Sequence, residues 1–404
     1  MNLREKLRIP TNPADRDLLA LCVFVGLAFF GMMMTGPLVP LVLIHMKASP
    51  GLLGAVISVS AIGSLLVAVP GGVLVGKWGS AKMMSLSMLL CAATTLFLTF
   101  FPSIVSLFIG LVFFEIGKIL FIVGAQAHIG NLGEGRDLNL DFGWYGMANA
   151  VGQLLGPFSA GLVIDFAGHA VTWAIMTGIL LLIGLTLPRF VSNIGLDKDL
   201  PPKRSGEPKK KKGFRHYIND YAIIAIIASF AVLFADGART TFFPVLMNGL
   251  GYSATAIGFF LSLRALVSMS VRGFMGQFIK AVGGRFPALI ISIVVMAVGI
   301  GITPFCDNYL TLTINAILVG IGLGLSLPLS MATVSEGVPP EDRGVAMGIR
   351  LTGNRLAQLA NPIFFGVLAQ NLGFSLAFIA GGVVLLLCAL PIFIWWRDRA
   401  GKAG

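Results

Sequence analysis

In a chain that is 56% hydrophobic and only 12% charged, the ionisable groups standing inside apolar runs are the ones whose chemistry needs explaining. Glu115 and Lys118 fall in one such run, Asp236 and Arg239 in another, Arg264 and Arg272 in a third, Arg350 and Arg355 in a fourth. A charge at the centre of a lipid layer costs at least ~2.5–3.5 kcal/mol, so these groups are expected to face a protein interior or a watery cavity. Each of the first two pairs is spaced by three residues, which puts acid and base on one helical face where they partly neutralise each other. Arg264 and Arg355 have no acid three or four residues away. A guanidinium fork suits a carboxylate or a phosphate, which makes Arg239, Arg264, Arg355, Lys118 and Arg350 candidate contacts for an anionic small-molecule substrate. Arg272 and Arg350 stand nearer one end of their runs, where tying helices together or snorkelling competes with that role. Glu115 and Asp236 are the candidate proton carriers, since a carboxyl in an apolar setting can take up and release a proton.

Helices are the elements that must carry these groups. The 404-residue chain has a mean hydropathy of +0.89, and apolar runs of about 20 residues, long enough to cross a hydrocarbon core of about 30 Å, recur along it. They fall at 17–44, 52–75, 83–101, 104–127, 142–165, 170–189, 221–247, 254–279, 286–304, 309–333, 344–370 and 374–396. Lipid offers the backbone no hydrogen-bond partner and no sustained alternation marks strands, so the expected fold is all-α, with about twelve transmembrane helices. Lys and Arg crowd the N-terminus (Arg4, Lys6, Arg8, Arg16), the 76–82 loop, the 191–220 segment and the C-terminus (Arg397, Arg399, Lys402), whereas the alternate loops are nearly uncharged. That pattern predicts a multi-pass cell-membrane (inner or plasma membrane) protein with both termini and the central segment in the cytoplasm.

The net charge of +11 is then mainly a topology signal. Lys209 to Lys212 read as a solvated linker rather than a nucleic-acid patch. The first apolar run is long enough to span, so no removable leader is expected. Four cysteines without CxxC spacing indicate neither a disulfide framework nor a metal site. No HExxH, no GxxxxGK[ST] and no convincing Ser/His/Asp set occurs, and the GxG at Gly320 and Gly322 reads as helix packing. No catalytic activity and no cofactor are expected.

The chain repeats itself. Pro40, Gly54, Gly72 and Gly79 meet Pro244, Gly258, Gly276 and Gly283 at an offset of 204, and Gly143, Pro157, Gly161 and Gly168 meet Gly348, Pro362, Gly366 and Gly373 at 205. Prolines and glycines fix backbone shape, so the match predicts two copies of a six-helix unit, 1–190 and 221–404, joined by a basic cytoplasmic linker at 191–220. By the same offsets Arg239 stands for Thr35, Arg264 for Ser60, Arg272 for Ala68, Arg350 for Tyr145 and Arg355 for Ala150. The scaffold therefore does without these arginines in its first copy, which favours a ligand role for several of them in the second.

This arrangement resembles the major facilitator superfamily over the whole chain. The stretch from Gly72 to Lys82, GVLVGKWGSAK, is similar to the family's loop signature through Gly72, Leu74, Lys77, Gly79 and Lys82, with Gly76 where the family has an aspartate. Residues 143–161 resemble the family's fifth-helix antiporter signature through Gly143, Gly152, Gly156, Pro157 and Gly161, with Ala160 in place of a glycine. Small residues there let neighbouring helices approach closely. The resemblance implies two six-helix bundles, a monomeric secondary transporter working by alternating access in the lipid bilayer, and a substrate site near the midplane. Members carrying the second signature often export in exchange for protons. The family's drug exporters usually carry an arginine in the fourth helix, where Phe113 stands here. A small organic anion is the expected substrate, a multidrug exporter is the alternative, and a sensor that keeps the fold without transport is a third reading.

Overall fold

The computed structural model describes residues 13–132, 138–193, 219–338 and 343–403. The N-terminal Arg4, Lys6 and Arg8, and positions 194–218 of the expected linker with its four consecutive lysines, lie outside them. Among the described residues every regular element is helical. The first part of the chain forms α1 (Pro13–Met33), α2 (Thr35–His45), α3 (Pro50–Trp78), α4 (Ser80–Phe100), α5 (Ile104–Gly130) and α6 (Leu138–Phe190). The second forms α7 (Asp220–Gly237), a π-helical turn (Ala238–Phe242), α8 (Phe243–Gly249), α9 (Ala254–Gly273), α10 (Met275–Ala281), α11 (Arg285–Ile302), α12 (Tyr309–Glu336) and α13 (Arg343–Ala403).

Ten stretches of the described residues are long and apolar enough to cross a membrane. The two longest, in α6 and α13, each turn at a glycine of positive φ, Gly168 (84°) and Gly373 (83°), a conformation that glycine adopts freely and other residues rarely. Each therefore holds two crossings, and the expected twelve are accommodated. Ser103, Asn219, Ser253 and Asn308 cap their helices by accepting from the backbone N–H three residues on, so an apolar run begins with its orphan donors satisfied.

The repeat extends to the irregularities. Helical geometry lapses at Met34, between α1 and α2, and the repeat position in the second copy, Ala238, opens the π-helical turn. Pro40 and Pro244 follow at the same offset. Pro244 has no N–H to give to the carbonyl of Thr240 and crowds it, and a turn widened to an i→i+5 bond relieves the clash. The Phe243 N–H accordingly donates to the Ala238 carbonyl.

The described residues form two compact units, one within 13–35, 60–132, 138–156 and 166–193, the other within 36–59, 157–165, 219–338 and 343–403. In the first, Gly117 and Gly124 let α5 lie against α4, where a Cβ would stand 2.5 Å from Cys91 Sγ or 2.8 Å from Met84. In the second, Gly322 packs on Met296 and Ser292 of α11, and Gly320 on the Arg264 carbonyl of α9. The GxG motif is thus a helix contact.

Candidate functional site

At the end of α7, which is about the middle of the Asp220–Gly249 span, Asp236 forms an ion pair through Oδ1 with Nη1 of Arg264, about halfway along α9. The Asp236 side chain is 37% exposed and the Arg264 side chain 11%, so the pair is open to a small molecule from the carboxylate side. Spacing had put Asp236 with Arg239. The widened turn that begins at Ala238 changes the register between them, and Arg239 instead lies with its guanidinium 3.6 Å over the Phe243 ring. Arg239 has no exposed surface, and among the described residues none of its three guanidinium nitrogens has an acceptor. Two cations and one carboxylate therefore share the middle of this unit, with Arg264 near enough to repel Arg239. Arg264, with no acid three or four residues away on its own helix, takes its carboxylate partner from another helix.

The remaining candidates separate. Glu115 and Lys118 pair on α5 as their spacing predicts. Arg350 is 2% exposed and spends Nη1 on Ser229 (2.9 Å) and Ser330 (3.4 Å), tying α13 to α7 and α12. Arg355 is half-buried and donates to Gln358 Oε1 at 3.0 Å. Arg272 is exposed near the end of α9. No group of three or more His, Cys, Asp or Glu that could hold a metal occurs among the described residues.

In the second unit, two repeat-related contacts set the start of α3 against α13 and the start of α9 against α6. The Gln370 side-chain oxygen accepts from the Gly51 N–H (3.1 Å) and the Ser49 hydroxyl (3.4 Å) at the start of α3. Asp165, the repeat mate of Gln370, accepts from the Ala254 and Thr255 N–H groups (3.0 and 2.7 Å) at the start of α9. Any Cβ on Gly54 would collide with the Pro362 carbonyl, and one on Gly258 with the Pro157 carbonyl. Gly161 lies equally close to the Ala254 carbonyl, while Ser262 accepts from the Phe158 N–H at 3.1 Å. Sequence reading singled out Pro157 and Gly161 but missed Asp165 and Gln370; the repeat offset that pairs them was the available signal.

The profile of the Major Facilitator Superfamily matches residues 21–287 and 225–403. The chain belongs to the major facilitator superfamily. It is 28% identical to an uncharacterized MFS-type transporter of Yersinia pestis over 90% of this chain and 92% of that one. It is 19% identical to multidrug resistance protein 2 of Bacillus subtilis, over 94% of each. Among solved structures, a bacterial homolog of the human lysosomal transporter Spinster superposes with a TM-score of 0.81 at 15% identity, over 96% of this chain and 98% of that one, a likeness of fold. As a superfamily member, the chain is a multi-pass membrane transporter for small molecules.

The superfamily loop between α3 and α4 is held here without an aspartate. Gly79 adopts φ 84°, and Asn193, just past α6, accepts from the Lys82 N–H and donates to the Trp78 carbonyl, both at 3.2 Å. Lys77 and Lys82 are exposed. In the repeat copy, Arg285 pairs with Glu336. The antiporter-like stretch divides in two: Gly152 stands against Phe29 and Phe30, and Gly156 against the Phe30 carbonyl and Met33, as close packing predicts. A Cβ on Gly143 or Gly72 would meet open space, so close packing does not explain these two glycines. Beside that contact, α1 and α6 flank an apolar groove of about 550 Å³, lined by Gly26, Phe30, Met147 and Val151 among others. Sequence reading also missed His128, fully buried, with Nδ1 2.8 Å from Ser80 Oγ and Nε2 3.3 Å from Asp17.

Proposed function

We propose that the chain moves a small organic anion across a cell membrane by alternating access, with Arg264 as its main anion contact and Asp236 as the exchangeable partner of that arginine. The observation that carries this reading is the Asp236–Arg264 pair, half open to solvent at mid-span and beside the second, enclosed cation of Arg239. A substrate carboxylate or phosphate can take the place of Asp236 on the Arg264 fork, and protonation of Asp236 lowers the cost of that exchange. Glu115, paired with Lys118, is the second candidate for carrying a proton, and Lys118 and Arg355 are secondary anion contacts. The two halves 1–190 and 221–404 act as the rocking bundles of a monomer, both termini and the 191–220 linker being cytoplasmic.

Substrate binding tests this directly. Screening monoanions, dianions and lipophilic cations by thermal shift should return anions, and Arg264→Gln should weaken the best of them by about tenfold or more. Arg264→Lys should recover only part of that loss, since it supplies a point charge in place of a fork. Strongest binding by lipophilic cations, unaffected by Arg264→Gln, would overturn the anion reading. The second reading, a multidrug exporter, is favoured by the apolar α1–α6 groove and by the multidrug-resistance relative.

A further inference from the structure

We infer that Asn361 is a positioning residue that couples the Asp236–Arg264 pair to the closing of α3 on α13; the inference rests on the proposed site but is tested without its substrate. Asn361 lies in α13 and is fully buried. Its Nδ2 donates to the Phe234 carbonyl at 2.5 Å, two residues before Asp236, and a Cβ on Gly237 would stand 2.7 Å from its Oδ1. The side chain thus holds α7 on both sides of the paired carboxylate. The next residue along α13 is Pro362, whose carbonyl oxygen would stand 2.1 Å from a Cβ on Gly54 of α3. A movement of α7 at Asp236 therefore reaches the α3 contact through two consecutive residues. Proline has no N–H to give to the preceding turn, so α13 bends here more readily than a regular helix.

The repeat shows that the scaffold does not need the amide. At the offset of 205 Asn361 stands for Gly156, and at 204 Phe234 and Gly237 stand for Phe30 and Met33. The first copy makes the same contact with the sizes exchanged: a Cβ on Gly156 would stand 2.6 Å from the Phe30 carbonyl oxygen and 2.9 Å from Met33 Cβ. There the small residue is on α6 and the large one on α1, whereas in the second copy the small residue is on α7 and the large one on α13. A close-packed contact has become a hydrogen bond in the copy that carries the ion pair. Packing alone does not account for the change, because Asn361 Oδ1 is buried without a donor among the described residues, a penalty that a leucine of similar size would avoid. A hydrogen bond is directional, so it passes on a shift of the Phe234 carbonyl that an apolar contact would let slip. While Arg264 holds Asp236, α7 is tied to α9 at this level; when the pair opens, Asn361 carries the release to Pro362 and Gly54.

The test is a double-variant cycle read by cross-linking of purified full-length protein, with no ligand added. Ser49→Cys and Gln370→Cys replace side chains whose polar atoms lie 3.4 Å apart across the α3–α13 contact, so the rate of disulfide formation reports closure. Asp236→Asn opens the ion pair and should slow cross-linking severalfold while Asn361 is present. In Asn361→Leu the same substitution should change the rate by less than about twofold, since the two sites no longer share a link. A purely structural amide would instead alter the rate by the same factor whether or not the ion pair is intact. Gly237→Met combined with Asn361→Gly rebuilds the packing of the first copy without the hydrogen bond; it too should not respond to Asp236→Asn, and it decides the matter should Asn361→Leu not fold. No response in the parent, an equal response in Asn361→Leu, or a full response in the rebuilt pair overturns the inference. Failure of the anion screen leaves these outcomes unchanged, and a cycle without coupling leaves the anion reading standing.

Discussion

At the scale of single residues, the consequence of pairing Asp236 with Arg264 is that the two halves of the pair are not equivalent. Losing Arg264 leaves one carboxylate that is 37% exposed and can stay hydrated or take a proton. Losing Asp236 leaves two cations in the middle of a bundle with no acid between them. Breaking a fully buried pair costs about 3–5 kcal/mol, and the exposure of Asp236 discounts that figure here. Asp236→Asn should therefore lower the unfolding temperature more than Arg264→Gln, and the double variant should be more stable than Asp236→Asn alone. A double variant whose loss equals the sum of the two singles would mean that the ion pair contributes nothing. The sequence made the charged residues legible, because charge is conspicuous in an apolar run. It could not show which partner each one takes: the acid for Arg264 lies 28 positions away on another helix, and a widened turn removes Arg239 from its nearest acid.

At the scale of elements, backbone shape was the part most open to reading. Glycines and prolines at fixed offsets announced the repeat, and the structure extends it to contacts in which Gly54 meets Pro362 while Gly258 meets Pro157. Each glycine there sits against a carbonyl with no room for a side chain, so the start of α3 closes on α13 and the start of α9 on α6. One acceptor in this set is charged and the other neutral. Asp165 holds two N–H groups at a helix start, where a carboxylate gains about 0.3–1 kcal/mol from the helix dipole, while Gln370 does the same work without charge. Gly54→Val and Gly258→Val should each force these ends apart in a folded protein. Paired cysteines at 50 and 366 should then cross-link less in Gly54→Val than in the parent, paired cysteines at 161 and 254 less in Gly258→Val, and transport should fall severalfold or more. Asp165→Asn should act in the same direction more weakly. Unchanged cross-linking and transport in both valine variants would show that this closure plays no part in the cycle. Legibility ended where side-chain chemistry replaced backbone shape: Asp165 and Gln370 are different residue types at equivalent places, and neither looks unusual in sequence.

At the scale of the whole molecule, a transporter must let its site face each side in turn, and a driving ion must titrate a group that the site can sense. Orientation comes first, and it rests on the positive charge at the chain ends and in the central segment. Single-cysteine labelling should place 191–220 and both termini on the cytoplasmic side, and reaction of a probe in that segment from outside intact cells would reverse the assignment. The proposed proton coupling rests on the two mid-span acids, which differ in a way that predicts different outcomes. Glu115 pairs with Lys118 on its own helix, and both side chains are about a quarter exposed. That pair balances itself, and a proton on Glu115 leaves Lys118 beside a neutral group. Asp236 pairs across helices with the proposed anion contact, so a proton there frees Arg264 for the substrate and binding and protonation become linked. Asp236→Asn should mimic the protonated state permanently: counterflow exchange of the anion, which needs no net proton movement, should persist, while uphill flux driven by a proton gradient should be lost. Glu115→Gln should impair uphill flux less, because no anion contact depends on its charge. Proteoliposomes loaded with substrate and given an imposed pH gradient measure both activities side by side. Full uphill transport by both amide variants would remove protons as the driving ion. Loss of uphill flux in Glu115→Gln alone would move the coupling step to the first copy of the repeat, away from the arginines that distinguish the second.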